Sequence, residues 1–150
     1  MRYFLFAAAA ACLDSFTKQW AQYRLPLGSR KRIGKTNLFF WHIKNDGAAY
    51  HSFAGKRNLL LAVTGSLLAG YAIQLVQLSK QTHTALQATS LALLLGGGLG
   101  NFQERLLKGH VTDFLYVKKG SNAPIFNIAD LFVALGAALY VCSCAFVKHE

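Results

Sequence analysis

Leu59-Leu-Leu-Ala-Val-Thr-Gly-Ser-Leu-Leu-Ala-Gly-Tyr-Ala-Ile-Gln-Leu-Val-Gln-Leu78 contains no Asp, Glu, Lys or Arg. Its length matches the roughly 20 residues with which a helix crosses the hydrocarbon core of a bilayer. Working outward, the runs Tyr3–Leu13, Ala85–Gly100 and Ile125–Val147 likewise carry almost no Lys or Arg. The first attains spanning length only by continuing through Asp14 and Lys18 to about Trp20, which makes those two residues unusual. In a chain of 150 residues that is 53% hydrophobic, these runs predict a membrane all-α protein. One integral membrane domain would cover 1–150, with four transmembrane helices at about 2–23, 59–79, 85–102 and 125–147. An even number of spans puts both termini on one side.

The connections refine this picture. The first two helices are separated by a loop of about residues 24–58, in which Asn37-Leu-Phe-Phe-Trp-His-Ile-Lys44 has the aromatic and branched composition of one or two short strands. A turn at Asn45-Asp46-Gly47 ends that run, so a small sheet on the membrane surface is expected, with Phe39, Phe40 and Trp41 near the interface. Only Lys80–Thr84 joins helices two and three, which should be antiparallel neighbours. The polar segment Gln103–Pro124 returns on the side of the long loop. Gly96, Gly97, Gly98 and Gly100 lack the preceding strand of a dinucleotide motif and read as small residues that let helix backbones approach.

Charge and cysteine usage exclude several classes. The net charge of +10 lies in the joining segments rather than on an amphipathic face, so membrane lipids with anionic headgroups are a better partner than nucleic acid. Cys12, Cys142 and Cys144 fall inside apolar runs, without the spacing of a disulfide framework or a zinc site, and the five histidines are scattered. No metal and no cofactor is expected. Arg2 followed by apolar residues up to Ala10-Ala11-Cys12 also fits a short signal peptide with a lipidation cysteine. Against that reading, the apolar stretch runs on past Cys12 and further spanning candidates follow.

Ionisable groups at membrane depth cost roughly 2.5 to 3.5 kcal/mol on insertion scales, so each calls for a partner or a purpose. Of the six acidic residues, Asp14, Glu104, Asp113 and Asp130 lie within or at the ends of apolar runs. Asp14 and Lys18, four apart, share a helix face and can neutralise one another as a structural ion pair. Asn101 and Arg105 have the same spacing, and Asn127 and Asp130 are three apart at the start of helix four. The return from Thr112 to Asn127 can bring Asp113 and Asp130 together at the ends of helices three and four. Two such carboxyls would share a proton, one acting as base on water and the other as acid, as in an aspartic protease dyad. The alternative is that each Asp caps a helix or pairs with Arg105.

Taken together, Leu13-Asp14-Ser-Phe-Thr-Lys18, Asn45-Asp-Gly-Ala-Ala-Tyr50, Gly97-Gly-Leu-Gly-Asn101-Phe-Gln-Glu-Arg105, His110-Val-Thr-Asp113-Phe114 and Phe126-Asn-Ile-Ala-Asp130 resemble, in order, the signature segments of lipoprotein signal peptidase (signal peptidase II). The resemblance implies an aspartic endopeptidase of the bacterial plasma membrane, with its site near the extracytoplasmic face and its loop domain outside. It would remove the signal peptide of a lipidated prolipoprotein by cutting before the diacylglyceryl-modified cysteine. Asp113 and Asp130 would be catalytic. Asn45, Asn101, Arg105 and Asn127 would position substrate or support the dyad, and Asp14 with Lys18 would brace it. The resemblance also implies inhibition by globomycin-type cyclic peptides, and nothing in the sequence requires more than a monomer. Two positions depart from the family pattern. Glu104 stands where Asp is usual, keeping the charge on a longer arm, and Tyr50 stands where Phe is usual.

The first loop carries Arg24, Arg30, Lys31, Arg32, Lys35, Lys44, Lys56 and Arg57, and the positive-inside rule would put it in the cytoplasm. The resemblance puts it outside, and that placement is adopted because the cleavage site of the substrate has been translocated. Two non-enzymatic readings stand beside the peptidase. One is a cation or proton transporter using Asp14, Asp113 and Asp130. The other is a silent relative that binds lipidated signal peptides, against which the intact pair of Asp113 and Asp130 argues.

Overall fold

Along the helices, many large apolar side chains face outward while several charged ones lie inside. The computed structural model describes residues 1–47, 52–79, 81, 85–118 and 123–147, so Tyr50 lies outside the described residues. Four helices form, α1 (Arg2–Arg24), α2 (Arg57–Leu78), α3 (Ala85–Lys108) and α4 (Ile128–Val147). Both α2 and the Ile128–Ala145 part of α4 are long and apolar enough to cross a membrane, yet only 11% and 17% of their apolar windows is buried within the protein. A core helix of a soluble protein would be mostly covered. Here Leu59, Val63, Ile73 and Val76 of α2 face outward, as do Leu131, Leu135 and Val141 of α4 and Leu5, Phe6, Leu13 and Phe16 of α1. The three cysteines are free and lie on the same outer surface. In contrast, Asp14, Lys18, Glu104 and Arg105, which interrupt the apolar runs of α1 and α3, are all buried.

Helix α3 is the hub. The other three helices pack along it, while α2 and α4 scarcely touch each other. Small residues make this possible, since a Cβ on Gly96 would strike the backbone of Ala7 in α1 and one on Gly97 would stand 2.6 Å from the Ala129 carbonyl oxygen of α4. Tight approach brings dispersion contacts where lipid supplies no hydrophobic drive for association. Leu68, Leu75, Leu91 and Leu95 fill the α2–α3 seam.

At one end of the bundle a sheet of four antiparallel strands forms in the order β1 (Arg30–Arg32), β2 (Leu38–Asn45), β3 (Val111–Val117), β4 (Ile125–Phe126). The expected strand over 37–44 is β2. The sheet is not confined to the loop between α1 and α2, however, because β3 and β4 come from the segment between α3 and α4. Pairing of Ile43 with Asp113 and of Asn45 with Val111 joins the two segments, with a register shift between Phe40 and Ile43. A second small core of Ala21, Leu25, Phe114, Phe40, Leu115 and Ile128 seats the sheet on the helices. His42 fixes β2 to the end of α1 through Nδ1 and the Leu25 carbonyl oxygen, 2.8 Å apart.

Two helix boundaries differ from the sequence reading. Helix α3 continues past Phe102 to Lys108 and stops at Gly109, whose φ of 77° is a left-handed conformation that favours glycine. Its last carbonyls are satisfied from α2, where Arg57 donates Nε to the Arg105 oxygen (3.0 Å) and Nη2 to the Leu106 oxygen (2.7 Å). Helix α4 starts at Ile128 because Ile125 and Phe126 are paired with Tyr116 and Leu115 as β4.

Gly97→Ala is expected to destabilise the protein by about 1–3 kcal/mol through overpacking against backbone that cannot yield. Gly70→Ala on α2, with nothing within 4 Å of its new Cβ, is expected to cost nothing. Thermal unfolding of the two variants in the same detergent checks the contrast.

Candidate active site

The site grows from two buried charges on α1. Lys18 and Asp14 are 1% and 0% exposed, with Nζ 2.6 Å from Oδ2. An isolated charge could not remain there, so each is tied further. Asp14 Oδ1 accepts the backbone N–H of Ala129 (2.8 Å), one of the unpaired donors at the start of α4. Lys18 Nζ donates to Asn101 Oδ1 on α3 (2.7 Å).

Because Lys18 can only donate, it dictates the orientation of the Asn101 amide. The Asn101 Nδ2 then points at Asp130, donating to Oδ1 at 2.8 Å. Asn127 and Asp130 form a reciprocal cap at the head of α4. The Asp130 N–H donates to Asn127 Oδ1 and the Asn127 N–H to Asp130 Oδ2, both at 3.0 Å. With its Oδ1 committed, Asn127 donates Nδ2 to Asp113 Oδ1 (2.7 Å). From β2, Asn45 accepts the Gly47 N–H at Oδ1 (3.0 Å) and donates Nδ2 to Asp113 Oδ2 (2.8 Å). Three asparagines, each oriented by a partner of fixed role, therefore hold two carboxyl groups from separate segments. The Asp113 carboxyl, 2% exposed, is pushed up to about 6 by burial and by the neighbouring Asp130 charge, against the opposing bonds from Asn45 and Asn127.

Asp113 and Asp130 open on one cleft of about 530 Å³, which Asn45, Asn101 and Arg105 also line. Arg105 is 8% exposed and donates Nη2 to the Gly47 carbonyl oxygen (2.9 Å), while its Nε has no partner among the described residues. One rim is thus polar. Apart from Thr64, the rest of the lining is largely apolar, Leu67, Leu68, Tyr71, Leu94, Val133 and Ala134 among it.

All nine residues singled out from the sequence belong to one connected region, although Asp113 sits on β3 rather than at a helix end. Glu104 faces away from the cleft. Its Oε2 accepts the Thr112 N–H (2.7 Å), and its Oε1 accepts bonds from Thr112 Oγ1 (2.9 Å), Gln22 (3.0 Å) and Lys108 (2.7 Å). It pins the residue preceding Asp113 to α3 and α1. Gln22, Gly47, Lys108 and Thr112 were not identified from the sequence, nor was the α2 wall of the cleft. The spacing of Thr64, Leu67, Leu68 and Tyr71 on one helical face was the available signal for that wall.

The chain matches the family model described as signal peptidase (SPase) II over residues 6–146. It is 36% identical over 123 residues to the lipoprotein signal peptidase of Lactococcus lactis subsp. cremoris (strain SK11), an alignment covering 82% of this chain and 79% of that one. It is 32% identical over 139 residues to the lipoprotein signal peptidase of Brevibacillus brevis (strain 47), covering 93% and 91%. Among solved structures, it is similar to a bacterial membrane enzyme determined by the in meso method at 2.3 Å resolution. There the TM-score is 0.85 and the identity 27%, with 99% of this chain and 90% of that chain covered.

Lys18→Met leaves Asp14 as an uncompensated buried charge and is expected to cost about 3–5 kcal/mol. Adding Asp14→Asn to that variant should restore part of the loss. A double-mutant cycle of unfolding free energies in detergent measures it, and equal costs for the single and double variants would contradict the pairing.

Proposed function

The chain belongs to the signal peptidase II family, and on that premise we propose that Asp113 and Asp130 are the aspartyl dyad of a membrane endopeptidase that removes the signal peptide of prolipoproteins. The scissile bond precedes the diacylglyceryl-modified cysteine. The observation that carries this reading is the pair of carboxyl groups, brought from β3 and α4 to one cleft by Asn45, Asn101 and Asn127.

In the working form one proton is shared. Asp113, with its raised pKa, keeps that proton and donates it to the scissile carbonyl oxygen, while Asp130 takes a proton from the attacking water. The tetrahedral intermediate collapses as Asp130 gives its proton to the amide nitrogen, the C–N bond breaks and Asp113 regains a proton from a hydroxyl of the gem-diol, so the dyad carries one proton throughout. Arg105 Nε, a buried donor on the cleft wall, binds a substrate oxygen. Asp14 and Lys18 take no part in proton transfer and act by fixing Asn101.

Four spans, cytoplasmic termini and an extracytoplasmic site complete the proposal for a bacterial plasma membrane protein. The support is the outward apolar surface of α1, α2 and α4 around buried charges, with the sheet and the polar rim at one end. The basic loop then meets anionic headgroups of the outer leaflet. A globomycin-type cyclic peptide is expected to compete for the cleft.

Cleavage of a diacylglyceryl-modified prolipoprotein by the purified protein in detergent tests the dyad. Asp113→Asn and Asp130→Asn should each lose at least about a hundredfold in turnover while remaining folded, and full turnover by either variant would falsify the assignment.

The pH profile gives an independent check. Losing the Asp113 proton removes the acid, so kcat/KM should fall as pH rises through about 6. Asn45 donates to the ionised carboxylate and so favours it. Asn45→Ala is therefore expected to move the alkaline limb to higher pH, and a shift to lower pH would contradict the role given to Asp113.

A further inference from the structure

The cleft has a defined deep end. On α2 its wall is Thr64, Leu67, Leu68 and Tyr71, and on α4 it is Asp130, Val133 and Ala134, with Leu94 and Gly98 of α3 behind. Both α2 and α4 lead away from the sheet, and they scarcely touch each other along their length. A hydrogen bond joins them at depth, where Gln74 Nε2 donates to the Tyr140 hydroxyl at 2.6 Å. Gln74 follows Tyr71, the deepest α2 residue of the lining, by about one turn, so this contact lies just beyond the residues that line the cleft. Tyr140 lies on α4 ten residues beyond Asp130, a distance of about 15 Å at 1.5 Å per residue. Tyr71 and Tyr140 both pack on the leucine core of α3.

A pair of amphipathic side chains bonded across a gap between otherwise separate helices forms a crossbar. Above it, the cleft is bounded by α2 on one side and α4 on the other, two helices that scarcely touch. The lining decides what suits it. A non-helical peptide at that depth would leave its backbone N–H and C=O groups unpaired against Leu67, Leu68, Leu94 and Val133. A hydrocarbon chain has no such groups, and the substrate proposed above carries one.

We propose that the Gln74–Tyr140 hydrogen bond is the floor of an acyl-chain channel below Asp113 and Asp130, and that it sets how long a fatty-acyl chain the enzyme accepts on its substrate. This rests on the peptidase reading above and adds a specificity-determining pair outside the dyad. The test uses purified protein in detergent and prolipoprotein peptides whose modified cysteine carries either dodecanoyl or octadecanoyl chains. The readout is the ratio of kcat/KM for the longer over the shorter substrate.

Gln74→Ala removes the crossbar and should raise that ratio about tenfold, the scale at which one or two methylenes are discriminated in an apolar pocket. Tyr140→Phe keeps the ring and its packing but removes the hydroxyl, and should shift the ratio in the same direction. If Gln74→Ala fails to fold, Tyr140→Phe decides. A ratio equal to that of the wild type in the folded variants overturns the floor. A wild-type protein that cleaves neither substrate overturns the peptidase reading itself, and the floor with it.

Discussion

A lysine ammonium sealed among apolar helices is the constraint on which the rest of the structure depends. Desolvating Lys18 and Asp14 is expensive, and their mutual attraction offsets that cost only if the remaining donors and acceptors find partners. The fold supplies them from α3 and α4. Asp14 meets a free N–H at the head of α4, and Lys18 meets the Asn101 oxygen. The ion pair thereby determines where three helices cross. The glycine surface of α3 is its counterpart, since a Cβ on Gly100 would run into the Asp14 carboxylate. Charge and small size are matched across one interface.

The same constraint is transmitted to the carboxyl groups in the cleft without contact between Lys18 and either of them. Each asparagine has an oxygen that accepts and a nitrogen that donates, and fixing one fixes the other. Lys18 orients Asn101, the Asp130 N–H orients Asn127, and the Gly47 N–H orients Asn45. The three amide nitrogens then converge on Asp113 and Asp130. Rigid, hydrogen-bonded polar groups in low dielectric favour one arrangement of the site over many.

Much of this was legible in the sequence because helical spacing and the scarcity of acids carry strong signals. Asp14 with Lys18, Asn101 with Arg105 and Asn127 with Asp130 each share a face at intervals of three or four; the first and last pairs bond to each other in the folded chain, and Asn101 and Arg105 line one cleft. The segment after Phe102 was misread for a physical reason. Glu104 and Arg105 look like the exit from an apolar span, but backbone hydrogen bonding continues until a residue can adopt the left-handed conformation, and Gly109 is the first to do so. Strand β3 escaped notice because Val111, Thr112, Asp113 and Phe114 are all buried, which erases the alternation by which a half-exposed strand is recognised. The pairing of β2 with β3 is a long-range match that neither segment specifies alone.

Strand β1 forms one edge of the sheet, and its three residues are Arg30, Lys31 and Arg32, all exposed. An open edge offers unpaired N–H and C=O groups to any similar strand, and densely placed cations on it are a recognised deterrent to edge-to-edge pairing. Two copies held at the same depth in one bilayer would present such edges to each other at every lateral collision. The arginines and lysine that make this loop so basic therefore also act as mutual repellents, keeping neighbouring sheets from fusing into a continuous ribbon along the surface.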